Sequence, residues 1–179
     1  GTRFYDRKEV KDIMSYLCVI NNPADNLRLK RIINMPKRGI GDATVDEIER
    51  LSISEQKTML QIMASASLYP SLSRNAAKLA AFSDLINDLR KTAENETLPV
   101  LFEKVIEKSG YMQMLTDGGP EDADRIDNLK ELISNAVQYE ASNEQALLSG
   151  FLEEVALISD IDNYDPASSA VVLMTIHSA

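Results

Sequence analysis

The stretch NMPKRGIGDA, Asn34 to Ala43, packs two cations, two glycines and a proline into ten positions of an otherwise acidic chain. These residue types suit anion binding. Gly39 and Gly41 permit positive φ and close approach of a ligand's backbone, and Ile40 can anchor the bend in an apolar interior. A helix starting straight afterwards points free N–H groups and the positive end of its dipole outward. Lys37 and Arg38 add charge, and Thr44 adds a hydroxyl in the first turn, so a phosphodiester could be held here without any base being read. The same residues also make a tight connection between helices, with glycines serving geometry and cations solvated. The flanking charge favours the first reading. Between Asn26 and Gly41 lie five of the chain's 19 lysines and arginines (Arg28, Lys30, Arg31, Lys37 and Arg38) and none of its 28 acids. With a formal net charge of -9, the remainder would repel DNA, so binding is expected to be local, non-specific and weak.

Other chemistries fare worse. The single cysteine, Cys18, sits at helical spacing among Tyr16, Leu17, Val19 and Ile20 and reads as a core or boundary residue; with one histidine, His177, far away, there is no metal-ligand spacing. No Gly-x-x-x-x-Gly-Lys-Ser/Thr stretch occurs, so the chain by itself is not expected to hydrolyse ATP. Acid groups such as Glu121, Asp122 and Asp124, or Asp160, Asp162 and Asp165, fall in loops and helix starts, where solvation and the helix dipole account for them better than a two-metal nuclease centre. The DIDNYD segment lacks the glycine and closing glutamate of a calcium loop. His177 ends an apolar run and reads as an edge residue. No catalytic residue, metal or cofactor is expected in these residues.

The elements that must position the turn are mostly helical. Val10, Ile13, Leu17 and Ile20 make one face of a first helix stopped by Asn21 to Pro23. A short helix spans about Ala24 to Ile33, Pro36 forbids its continuation, and a third runs from about Asp42 to Leu51. Ser54 is expected to cap a stretch through Met59, Ile62 and Met63, and Ser73 a long helix from Arg74 to Glu94. Further helices are predicted from Pro99 to a left-handed cap at Gly110, from Glu121 to Tyr139 after a DGGP loop, and from Glu144 to Ile158. The final AVVLMTIHSA is apolar and β-branched without alternation, as in a strand buried on both faces. Only GTRFYD at the other end resembles a companion extended piece, so the chain is expected to be cut from something larger, a helical body inserted into a sheet domain. The fold class is mainly α: an irregular helical bundle between extended segments, closed by a C-terminal strand. No run of about 18 apolar residues and no export signal occurs, which suggests a cytosolic protein without a membrane partner.

The opening GTRFYDRKEVKDIMSYLCVINNPADNLRLKRIINMPKRGIG and the closing VVLMTIHSA resemble superfamily 1A DNA helicases of the PcrA/UvrD/Rep type, nearest the PcrA branch. The middle, about Leu51 to Ser169, fits that family as a helical insertion of suitable length. The resemblance implies residues 1–20 as an edge of domain 2A leading into the first helix, 21–168 as the helical 2B subdomain, and 169–179 as a 2A strand beginning helicase motif V. It implies an accessory, regulatory subdomain of an ATP-dependent 3′ to 5′ helicase of the bacterial cytosol and nucleoid, acting in DNA repair and replication, with ATP and Mg2+ bound elsewhere in the parent. Its implied partners are duplex DNA at a single-strand/double-strand junction, domain 2A, and repair or replication proteins. In that family the turn and its threonine contact duplex phosphates, matching Gly39, Ile40, Gly41 and Thr44, while Thr175 and His177 match motif V positions for single-strand contact and ATP coupling. Motif V continues Lys-Gly-Leu-Glu-Phe in the family, and that continuation is absent from this sequence. Two alternatives stay open: a stand-alone helix-hairpin-helix DNA-binding module, and a helical adaptor whose acidic faces receive a basic partner.

Overall fold

A computed structural model describes residues 3–162, and all of its regular structure there is helical. Nine α-helices are formed by the described residues: α1 Lys8–Asn21, α2 Asn26–Ile32, α3 Asp42–Glu55, α4 Met59–Ala64, α5 Ala76–Asn95, α6 Leu98–Lys108, α7 Tyr111–Asp117, α8 Ala123–Ser142 and α9 Leu148–Asp162. The expected terminal strand, with Thr175 and His177, lies outside the described residues. At the other end Phe4–Asp6 forms a 3-10 turn, where an extended piece was expected.

Helix α1 lies at the centre, packed against α2, α5, α6, α8 and α9. Its predicted stripe is buried, but so are Tyr16 and Val19 and the polar Glu9, Asp12 and Ser15. A helix enclosed on several sides must satisfy its polar groups internally. Asp12 does so by accepting from Lys8 Nζ at 2.8 Å, Arg31 Nε at 2.9 Å and the Tyr111 hydroxyl at 2.6 Å. Glu9 accepts from Asn128 Nδ2 at 3.1 Å. Around α1, helices α5, α6 and α8 contribute Leu79, Phe82, Ile86, Leu89, Leu101, Phe102, Val105, Leu129 and Leu132, each at most 1 % exposed. Helix α9 joins through Phe151, edge-on to Phe102 and Tyr139 at centroid distances of 5.0 and 5.6 Å.

Two caps differ from expectation. Thr58 opens α4 with a full capping box, its side chain accepting from Gln61 N while Gln61 Oε1 accepts from Thr58 N, whereas Ser54 lies inside α3. Ser73 falls within a 3-10 segment, Pro70–Asn75, and donates to Pro70 O, so α5 starts at Ala76, two residues after the expected Arg74. Gly110 takes the expected left-handed conformation at φ 86°, but it ends α6 only to begin α7, which the sequence did not disclose. The DGGP segment holds a 3-10 turn, Gly119–Asp122.

Candidate nucleic-acid interface

Between α2 and α3 the chain folds around Ile40, which is 3 % exposed. Asn34 builds the bend: its Oδ1 accepts from Ile40 N at 3.0 Å and Arg38 N at 3.4 Å, and its Nδ2 donates to Ile40 O. One side-chain amide thus supplies the partners that a strand would otherwise give the turn. The two glycines serve different ends. Gly39 has φ 74°, and a Cβ there would lie 2.9 Å from Lys78 Nζ. Gly41 has φ -72° and ψ 161°, open to any residue, and a Cβ added to it meets nothing within 4 Å. Gly41 is the N-cap of α3, and no side chain caps that helix start. The first intrahelical bond is Val45 N to Gly41 O at 3.1 Å, so the amides before it face outward with the positive end of the helix dipole.

The cations of the window are redistributed by the fold. Arg28 pairs with Asp25 at 3.7 Å, Lys30 with Glu49 at 3.0 Å and Arg31 with Asp12 at 2.9 Å. Arg38 turns inward. Its Nη1 donates to Ile32 O, Ile33 O and Pro36 O at 2.8, 3.2 and 3.2 Å, and its Nη2 to the Tyr16 hydroxyl at 2.6 Å and Ser109 O at 3.0 Å. Its guanidinium carbon also lies 4.8 Å from the Phe82 ring centroid and 5.8 Å from that of Tyr16. Of the five, Lys37 is the one left exposed with no acidic partner among the described residues.

What the window loses, α5 restores. Lys78, exposed in its first turn, places Nζ 3.4 Å from Gly39 O. Asn75, just before α5, donates from Nδ2 to Thr44 Oγ1 at 3.0 Å, leaving that hydroxyl's own proton available to an acceptor. Sequence reasoning missed Lys78 and Asn75 because nothing local marks them; they lie 39 and 31 residues from Gly39 and Thr44. Asp42, in the first turn of α3, is an exposed countercharge. The outer face therefore presents main-chain donors, one hydroxyl and two ammonium groups. Such a set can hold a phosphate oxygen and carries no means of discriminating a base.

Elsewhere Cys18 lines a groove of about 450 Å³ between α1, α2 and α9, and burial pushes its thiol pKa up. No group of three or more His, Cys, Asp or Glu among the described residues is arranged to hold a metal.

Comparison with known proteins places the chain in a family. A model of the UvrD-like helicase C-terminal domain matches residues 1–179. Three relatives carry the name ATP-dependent DNA helicase PcrA: one from Leuconostoc citreum, 34 % identical over 187 residues, one from Staphylococcus epidermidis, 37 % over 182, and one from Staphylococcus aureus, 35 % over 182. All of this chain is covered in each case, and 25 % of each relative, so the chain spans about a quarter of the proteins it matches. With a full-length family match and identities above 30 % along the whole sequence, this chain belongs to the UvrD-like helicase C-terminal domain family.

Proposed function

We propose that this chain is the helical 2B subdomain of an ATP-dependent 3′ to 5′ DNA helicase, with edges of domain 2A at 1–20 and 169–179, and that it grips duplex phosphates near the single-strand/double-strand junction. The contact set is Lys37, the outward amides of Gly39, Gly41, Asp42 and Ala43, the Thr44 hydroxyl and Lys78, with Ile40 as the buried anchor, its own amide held by Asn34. Thr175 and His177 would serve single-strand contact and coupling. The observation that carries the reading is the uncapped start of α3, held beside Lys37 and Lys78. ATP and Mg2+ belong, in this reading, to the remainder of the parent. Engagement of the duplex would bias the orientation of the helical body and so the motor, in the bacterial cytosol and on behalf of repair or replication.

The test is fluorescence anisotropy of a labelled duplex bearing a 3′ single-stranded tail, at low salt. A K37A/K78A double variant is expected to bind about tenfold more weakly. Gly41→Ala is the sharper probe, because the added methyl meets no protein atom: helix content should be unchanged while affinity falls, since the methyl stands where the backbone of DNA would approach. Unaltered affinity in both variants would sink the proposal.

A further inference from the structure

We infer that Arg38 is a positioning residue for the phosphate-facing turn, fixing its conformation from inside without touching nucleic acid. A guanidinium carries four terminal N–H groups and one on Nε. All four terminal donors are committed: Nη1 to the carbonyls of Ile32, Ile33 and Pro36, two bonds with one shared, and Nη2 to the Tyr16 hydroxyl and Ser109 O. The plane itself lies against Phe82 and Tyr16.

The acceptors identify the role. Ile32, Ile33 and Pro36 are the carbonyls released where α2 ends and the bend begins, and Ser109 follows the last turn of α6. Tyr16 extends the clamp by donating onward to Met35 O at 2.6 Å. Arg38 therefore gathers the carbonyl ends of two helices, the second 71 residues along the chain from Arg38 itself, where the negative end of each helix dipole favours a cation. Its own backbone N–H is held by Asn34, so the residues on either side, Lys37 and Gly39, are held to face solvent. A lysine keeps the charge but offers three donors on a point, without the fork or the flat face. This inference rests on the phosphate-binding reading for its purpose, and on geometry alone for its mechanism.

The experiment compares Arg38→Lys, Arg38→Gln, Tyr16→Phe and Lys37→Ala in the 179-residue chain, reading amide hydrogen exchange of the turn and the salt slope of duplex binding. In R38K, exchange at the position-38 and Ile40 amides, both held by Asn34, should rise about tenfold while that of α5 and α8 holds. Duplex affinity should fall severalfold in R38K and R38Q alike, with the log–log salt slope unchanged, whereas K37A lowers the slope by about 1 and leaves exchange alone. Y16F retains the guanidinium and removes one acceptor; if R38Q does not fold, Y16F must still raise exchange at the turn. Turn exchange in R38K and Y16F equal to that of the unaltered chain overturns the inference. So does full binding by R38K together with a slope reduced by about 1 in R38Q, which would make Arg38 a phosphate contact. If K37A and the unaltered chain bind alike, the phosphate reading fails, and exchange at the turn still decides the positioning role.

Discussion

Tyr16 shows how one buried hydroxyl can set a limit of stability. Burial pushes its pKa up to about 12, against the partial opposition of the Arg38 charge beside it. The unfolded chain releases that proton near the ordinary tyrosine value of 10, so the folded state alone retains it above pH 10. Stability from this group is complete below pH 10 and is lost as pH rises toward 12, by roughly 3 kcal/mol. Tyr111, raised by burial and then by its bond to Asp12, acts with the same sign. Urea unfolding at pH 8, 10 and 11.5 should show a steeper alkaline loss in the unaltered chain than in Tyr16→Phe; equal losses would refute burial as the cause. The glycines separate likewise. Gly39→Ala should cost about 1 to 2 kcal/mol because its φ is positive, whereas Gly41→Ala, at an N-cap where alanine is poorer than glycine, should cost about 0.5 to 1 kcal/mol.

At the scale of elements, the joints are made by side chains far apart in the sequence. Asp12, 3 % exposed at its side chain, ties α1 to α2 through Arg31 and to α7 through Tyr111. Asp12→Ala should destabilise by about 2 to 3 kcal/mol, since a buried hydroxyl and two cations lose their acceptor. Asp12→Asn, which keeps an acceptor without the charge, should lie between. A urea midpoint within error of the parent for D12A would show that the joint contributes nothing. Helix faces and the bend were legible in sequence because apolar periodicity, Pro36 and the glycines act locally. Helix starts were less so: Thr58 rather than Ser54 caps α4, because Gln61 stands at the offset that completes a capping box. Helix α7 escaped notice because Gly110, which reads as a stop, is also a hinge between two helices.

For the molecule as a whole, charge would set the strength and reach of the proposed DNA contact. A formal -9 opposes approach, and the outward face of the turn offers Lys37 and Lys78 against Asp42. Each neutralised phosphate contributes about 0.9 to the salt slope, so two or three contacts give a slope near 2 to 3 and a loss of about ten- to fortyfold between 50 and 200 mM salt. Anisotropy titrations across that range check it, and a slope near 5, as all five cations of the window would give, would show that the inward placement of Arg38 and the pairing of Arg28, Lys30 and Arg31 do not hold in solution.

By itself the sequence determined a helical body, a bend at Pro36 to Gly41 anchored on Ile40, and an uncapped helix start after it, since each follows from neighbours within a few residues. Only the tertiary structure decided which charges that bend presents. The window is free of acids along the chain yet not in space: Asp12 and Glu49 reach it from α1 and α3, Ser109 and Tyr16 draw Arg38 inward, and Lys78 arrives from α5. Coulomb and hydrogen-bond partners are chosen by distance through the fold, and distance along the chain does not encode it.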